Sequence, residues 1–179
     1  MAIFHYCMPS KTYEKTAILI GRFQPPHKGH EGLILSLLKT HKKLTVAIGS
    51  SCKKRQKENP FSAKERLFML KKLFSQKKAK EKIKFTFLPD NPSNKKWAQI
   101  FCKKFPKEKY IIYSANPLVR KLLATYEFGK FLLVRRKSWQ GKAIRKKIIE
   151  KKPYLSSIPA KLRNWMKGKG EKIMLNCQK

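Results

Sequence analysis

A chain of 179 residues that is 41% apolar suits a single domain with its own core, and no apolar run approaches the roughly 20 residues needed to cross a bilayer. Lys and Arg number 44 against 10 Asp and Glu, a formal charge of +34 that suits polyanionic partners: nucleotides, RNA or acidic surfaces. The cationic residues are spread along the chain without an Arg-rich tail or a recognisable RNA-binding module, so nonspecific nucleic-acid affinity at low salt is expected rather than a dedicated RNA function. Cys7, Cys52, Cys102 and Cys177 are far apart, with no C-x-x-C and no Cys/His grouping at zinc spacing. That pattern argues against a zinc module or disulfide framework and for free thiols in a reducing compartment. The first fifteen residues lack the long apolar core of a signal peptide, so a cytoplasmic location is expected.

Taken in order, residues 1–15 read as an N-terminal arm without periodicity. Ala17-Ile18-Leu19-Ile20 reads as a buried strand, and Glu31 to Leu38 has apolar pairs at helical spacing. Between them lies Gly21-Arg22-Phe23-Gln24-Pro25-Pro26-His27-Lys28-Gly29-His30. A turn from strand end to helix start is where an α/β sheet binds nucleotides, because unpaired helix amides and the helix dipole favour phosphate. His27 and His30 fall on one side of the first helical turn, with Arg22 and Lys28 beside them.

Leu44-Thr45-Val46-Ala47-Ile48 reads as a second buried strand ending in Gly49-Ser50-Ser51, followed by a charged loop from Cys52 to Asn59. Ser62 and Glu65 form a capping box for a helix with an inward stripe of Leu67, Leu70 and Phe74. Residues 83–88 alternate like a strand, and Pro89-Asp90-Asn91-Pro92 follows, holding the chain's one aspartate. Ser93 or Asn94 caps the next helix, with Trp97, Ile100, Phe101 and Phe105 at spacings of three and four. Residues 110–113 form another strand, ending in Ser114-Ala115-Asn116-Pro117 ahead of a helix marked by Leu118, Leu122 and Leu123. A fifth strand is expected at 130–134, helices at 141–151 and 159–167, and a frayed basic tail over 168–179. Alternating strands and helices predict one Rossmann-like α/β domain over 16–167, a parallel sheet with helices on both faces. The loops following its strands then gather at one edge and hold most of the Asn, Ser and Asp90.

The segment Gly21 to His30 resembles the H-x-G-H signature of the nucleotidylyltransferase superfamily. In its longer form, G-R-F-Q-P-x-H-x-G-H, it is similar to the archaeal-type nicotinamide mononucleotide adenylyltransferases. Ile48-Gly49-Ser50-Ser51, Asn59-Pro60-Phe61-Ser62-Ala63-Lys64-Glu65-Arg66, Leu88-Pro89-Asp90 with Asn94 and Trp97, and Ser114-Ala115-Asn116-Pro117-Leu118-Val119 resemble further elements of that family in the same order. The resemblance implies a magnesium-dependent reaction in which ATP and nicotinamide mononucleotide give NAD and pyrophosphate, by a homo-oligomer. It implies catalytic roles for His27, His30 and Arg145. ATP would be held by Gly21, Arg22, Phe23, Gln24, His27, Lys28, His30, Lys142 and Arg145, and the acceptor by Asp90, Asn94, Trp97 and Asn116, with no metal ligand from the protein. Several of these residues have a second reading: Trp97 as core, Asp90 as an orienter of its loop, Asn116 as a helix cap. Two departures stand out. Gln140-Gly141-Lys142 replaces a segment in which the family carries hydroxyls, and Glu58 stands before Asn59-Pro60 where relatives often carry a basic residue. The residues also admit the same chemistry on another phosphate acceptor, such as phosphopantetheine, or a noncatalytic nucleotide or RNA binder.

Overall fold

The computed structural model describes residues 13–126, 131–132 and 139–177. Most of the N-terminal arm with Cys7, three of the five residues of the strand expected at 130–134, the loop residues 135–138 and the last two residues lie outside them.

Five parallel strands form one sheet in the order β3-β2-β1-β4-β5. These are β1 (Thr16–Gly21), β2 (Leu44–Ile48), β3 (Ile83–Phe87), β4 (Tyr110–Ser114) and β5 (Phe131–Leu132). β1 lies at the centre, with Ala17 opposite Leu44 on one side and Ile111 on the other. Its neighbours run outward in opposite directions through the sequence, so the strand order reverses between β1 and β4. A crevice opens at such a point, outside the carboxyl ends of the strands.

β1, β2 and β4 are buried on both faces, which is why they read as continuous apolar runs, whereas β3 is largely half-exposed and alternates. Ala17, Leu19, Val46 and Ile48 join a core cluster under α1 (Lys28–Thr40) and α2 (Ala63–Leu73). Ile18, Ile20, Ala47 and Ile112 join the opposite cluster under α4 (Asn94–Lys104) and α5 (Pro117–Ala124). A short lysine-rich helix, α3 (Lys77–Lys82), buries nothing and gave no apolar signal in the sequence. Within the expected stripes, Leu67 is only half-buried while Arg66 and Met69 are buried. Ile100 is 57% exposed, its place taken by Ala98.

The expectation of a frayed end after residue 167 is overturned. Beyond α6 (Gly141–Ile149) come two single 3₁₀ turns, then α7 (Arg163–Trp165), a π-helical turn over Met166–Gly170, and α8 (Glu171–Asn176). Leu162, Met166, Gly170 and Met174 recur every four residues and are all buried, in a third cluster with Phe61, Met69, Ile144 and Ile158. Exposed lysines at 167, 169 and 172 break up that stripe to the eye without disturbing its period. The Tyr154 hydroxyl donates to Glu171 Oε1 at 2.6 Å and fixes the last helix further. No helix among the described residues is long and apolar enough to cross a membrane.

Candidate active site

A cleft of about 720 Å³ opens where the strand order reverses, between the ends of β1 and β4. One wall is the turn after β1. The Gln24–Pro25 peptide is cis, and Phe23 adopts the left-handed region at φ 53°. Its ring folds back over Gly21, where a Cβ would come within 2.9 Å of the ring, so only glycine admits this turn. Phe23 is 1% exposed and forms the cleft floor against the His30 ring.

His27 caps α1, and its backbone N–H donates to His30 Nδ1 at 3.3 Å, which leaves the proton of a neutral His30 on Nε2. The two imidazoles stack with centroids 3.7 Å apart. Burial holds the His27 pKa down to about 4; burial and then the neighbouring His27 hold that of His30 well below its ordinary value. Both rings are therefore neutral donors at pH 7. His27 Nδ1 is buried and makes no hydrogen bond among the described residues.

Gln24 is spent on structure. Its side-chain nitrogen donates to Phe61 O at 2.8 Å and its side-chain oxygen accepts from Phe61 N at 3.0 Å. Its backbone carbonyl accepts from a terminal nitrogen of Arg145 at 2.8 Å. Gln24 thus clamps three segments together while lining the cleft. Gly141 makes the approach possible, since a Cβ there would lie 2.7 Å from the Gln24 carbonyl oxygen. Arg145 is buried, and its pKa is lowered by burial, then by nearby Arg22, and raised by Glu58.

Arg66 is a residue the sequence reading passed over. It is fully buried and donates to the carbonyls of Arg22 (2.8 Å), Gly49 (2.7 Å) and Ser50 (3.0 Å), tying the loops after β1 and β2 to α2. Its pKa falls to about 10 through burial. The signal was present: Arg66 shares the helical spacing of Leu70 and Leu73, an inward position no solvated arginine would hold.

Of the expected site residues, all but Lys28 line the cleft. Lys28 shares a helix face with Glu31, whose pKa its charge lowers against the larger effect of burial. Asp90 accepts from Ser50 Oγ at 3.1 Å and pairs with Lys53 at 3.2 Å, so it orients its loop. Asn116 caps α5 by accepting from Leu118 N at 3.1 Å, while still lining the cleft. Trp97 stacks on Phe101 at 5.4 Å, in keeping with its core reading, and it lines the cleft together with Asn94. The helix cap there is Ser93, which accepts from Lys96 N at 3.2 Å. Lys142 is exposed in the first turn of α6, on the cleft wall. Lys53, Asn91 and Trp139 line the cleft as well and carried no expectation.

The cleft has two halves. One gathers Arg22, His27, His30, Lys142 and Arg145 around the amino ends of α1 and α6, and suits a polyphosphate. The other gathers Trp97, Asn94, Asn116 and Leu118, an aromatic and amide surface suited to a flat heterocycle with hydrogen-bonding groups. Among the described residues no group of three or more His, Cys, Asp or Glu could hold a metal.

A model of the cytidylyltransferase-like family matches residues 18–157. A protein of Thermoplasma acidophilum named nicotinamide-nucleotide adenylyltransferase is 36% identical over 151 residues, covering 82% of each chain. One of the same name from Archaeoglobus fulgidus is 30% identical over 149 residues, 80% of this chain and 85% of the relative. Among solved structures, a bifunctional NMN adenylyltransferase/ADP ribose pyrophosphatase of Francisella tularensis, complexed with AMP and a manganese ion, aligns with a TM-score of 0.73 at 20% identity. That alignment covers 91% of this chain, which spans about half (52%) of the bifunctional protein. A nicotinic acid mononucleotide adenylyltransferase of Plasmodium falciparum aligns with a TM-score of 0.56 at 15% identity, over 88% of this chain and 96% of the other.

Proposed function

The chain belongs to the cytidylyltransferase-like family, and from that premise we propose that it transfers the adenylyl group of ATP to nicotinamide mononucleotide, giving NAD and pyrophosphate. The observation that carries this reading is the two-sided cleft, with a cationic half for one substrate's phosphates and an aromatic half for the other's ring. A phosphate oxygen of the mononucleotide forms a bond to the α-phosphorus of ATP, and the bond from that phosphorus to the oxygen bridging to the β-phosphate breaks. The second phosphate pKa near ~6 leaves the nucleophile dianionic at neutral pH, so no general base is required. What the protein supplies is alignment of two polyanions and stabilisation of the charge that builds on the departing pyrophosphate.

His27 and His30 serve as neutral donors to the phosphates, at little desolvation cost because they are uncharged. Arg22, Lys142 and Arg145 supply the positive charge. Gly21, Phe23 and Gln24 shape the turn rather than grip ATP through their side chains. Trp97 stacks on the pyridinium ring, a cation–π contact, and Asn94 reads the carboxamide. A divalent cation, magnesium in this proposal, enters with ATP as part of the substrate, since among the described residues the cleft lining offers a single carboxylate, Asp90, already paired with Lys53. The cytoplasm, where ATP is abundant and the thiols of Cys52, Cys102 and Cys177 stay free, completes the proposal.

The test is NAD formation from ATP and nicotinamide mononucleotide by the purified chain, read by coupling to a nicotinamide-dependent dehydrogenase, with pyrophosphate measured in parallel. Equimolar NAD and pyrophosphate are expected. Pyrophosphate formed only with another phosphate acceptor would move the acceptor assignment, and none with any acceptor would leave a nucleotide binder.

A further inference from the structure

Glu58 brings a carboxylate to the mouth of a cleft whose polar groups otherwise suit phosphate. Its Oε2 lies 3.7 Å from a terminal nitrogen of Arg22, both side chains being more than half exposed. The position is held from below. Gln56 and Asn59 exchange backbone hydrogen bonds at 3.3 and 2.9 Å across a tight turn that has Glu58 at its tip. On the near side of that turn, Arg55 forks onto both carboxylate oxygens of Glu65 at 2.7 Å and donates to Pro60 O at 2.9 Å. On the far side Asn59 and Pro60 are buried. A charged loop would ordinarily swing freely, whereas this one is pinned at both ends with its carboxylate over the phosphate half. Arg145 responds to both partners, its charged form opposed by Arg22 and favoured by Glu58. Without Glu58, two guanidiniums would face one cleft with no counter-charge between them.

We propose that Glu58 is a positioning residue for the adenylyl-transfer reaction: it holds Arg22 as a stand-in anion while the cleft is empty, and is displaced by the phosphates of ATP. This rests on the phosphate half being an ATP site. The exchange means that part of the attraction between Arg22 and a triphosphate goes into breaking an existing pair. Glu58 therefore weakens ATP and pyrophosphate alike, and eases departure of the product.

The test is calorimetric titration of the full chain with ATP and, separately, with inorganic pyrophosphate, at low and at moderate salt. Glu58→Gln keeps the shape and removes the charge. It should bind both anions about twofold to fivefold more tightly, the scale of an exposed ion pair. Its affinities should fall more steeply with salt, while nicotinamide mononucleotide binding and the thermal midpoint stay unchanged. In an Arg22→Gln background most of the gain should vanish, which a merely structural role for the loop would not produce. Unchanged or weaker anion binding by Glu58→Gln overturns the proposal while leaving the ATP site intact. A wild-type chain that binds neither anion overturns the site reading beneath it.

Discussion

His27 and His30, the proposed phosphate donors, are kept uncharged by burial. Both rings are held neutral by their surroundings, His27 with a pKa of about 4. The unfolded chain takes up a proton on each near pH 6.5, and the native protein only well below that, so the unfolded state binds more protons in between. Stability is then full above about pH 6.5 and is lost as pH falls toward 4, on the order of 3 kcal/mol for His27 alone, at about 1.4 kcal/mol per pKa unit. Thermal melts at pH 7.5 and 5 should show a larger drop for wild type than for His27→Asn, which puts a good N-cap residue there without the titration. Bound phosphates favour the protonated ring, so ATP affinity should rise as pH falls through the same window in wild type only. A pH-independent affinity would mean that the imidazoles do not touch phosphate. Trp97 carries a second prediction. Trp97→Ala should raise the Michaelis constant for the mononucleotide about tenfold to a hundredfold, the scale of a lost ring stack, and lower the melting temperature because Phe101 loses one of its ring contacts. Trp97→Phe keeps the helix packing and should restore the melting temperature more than the affinity. Equal losses toward ATP would remove Trp97 from the acceptor half.

At the scale of elements, the site is a meeting of loops, fastened by buried polar groups. Arg66 holds four carbonyls, its own helix's Ser62 included, and Gln24 holds Phe61 and Arg145, and none of these bonds involves a carboxylate. In a chain of +34 this matters, because carbonyl dipoles can stabilise a buried guanidinium without consuming scarce acids. The contact of α6 with the β1 turn depends on a missing atom. Gly141→Ala would drive a Cβ to 2.7 Å from the Gln24 carbonyl, a backbone atom unable to swing aside. The helix must then retreat and Arg145 lose its bond to Gln24. ATP titrations should show at least about a tenfold weakening, with mononucleotide binding unaffected and stability reduced by about 1–3 kcal/mol, the usual cost of overpacking. Unaltered ATP affinity would show that the docking of α6 does not shape the phosphate half.

For the whole molecule, the sheet was legible because its central strands β1, β2 and β4 are short apolar runs bounded by turn residues, and the β1 turn because its histidines, glycines and prolines are rare together. Less legible was what depends on distant partners. Nothing in the string near Gln24 announces Phe61 or Arg145, and the basic composition hid the apolar stripe from Leu162 to Met174 among lysines. That stripe makes the last helix part of the fold. Met174→Ala should cost about 2–4 kcal/mol in urea unfolding, as buried truncations do, whereas Leu175→Ala, at a position 42% exposed, should cost less than about 0.5 kcal/mol. If both were neutral, the end of the chain would be a tail after all.

The clamp at Gln24 also has a consequence in time. Its partners lie 37 and 121 positions further along, and synthesis proceeds from the amino end at roughly 5–20 residues per second. The first three strands and the clamp to Phe61 are available while the nascent chain is still growing, but Arg145 can reach Gln24 only after every strand of the sheet has been made. A newborn chain can thus have its central strands and one half of the grip in place and still lack the other. The wall that α6 adds to the cleft is therefore set by a contact made only after the strands beneath it exist.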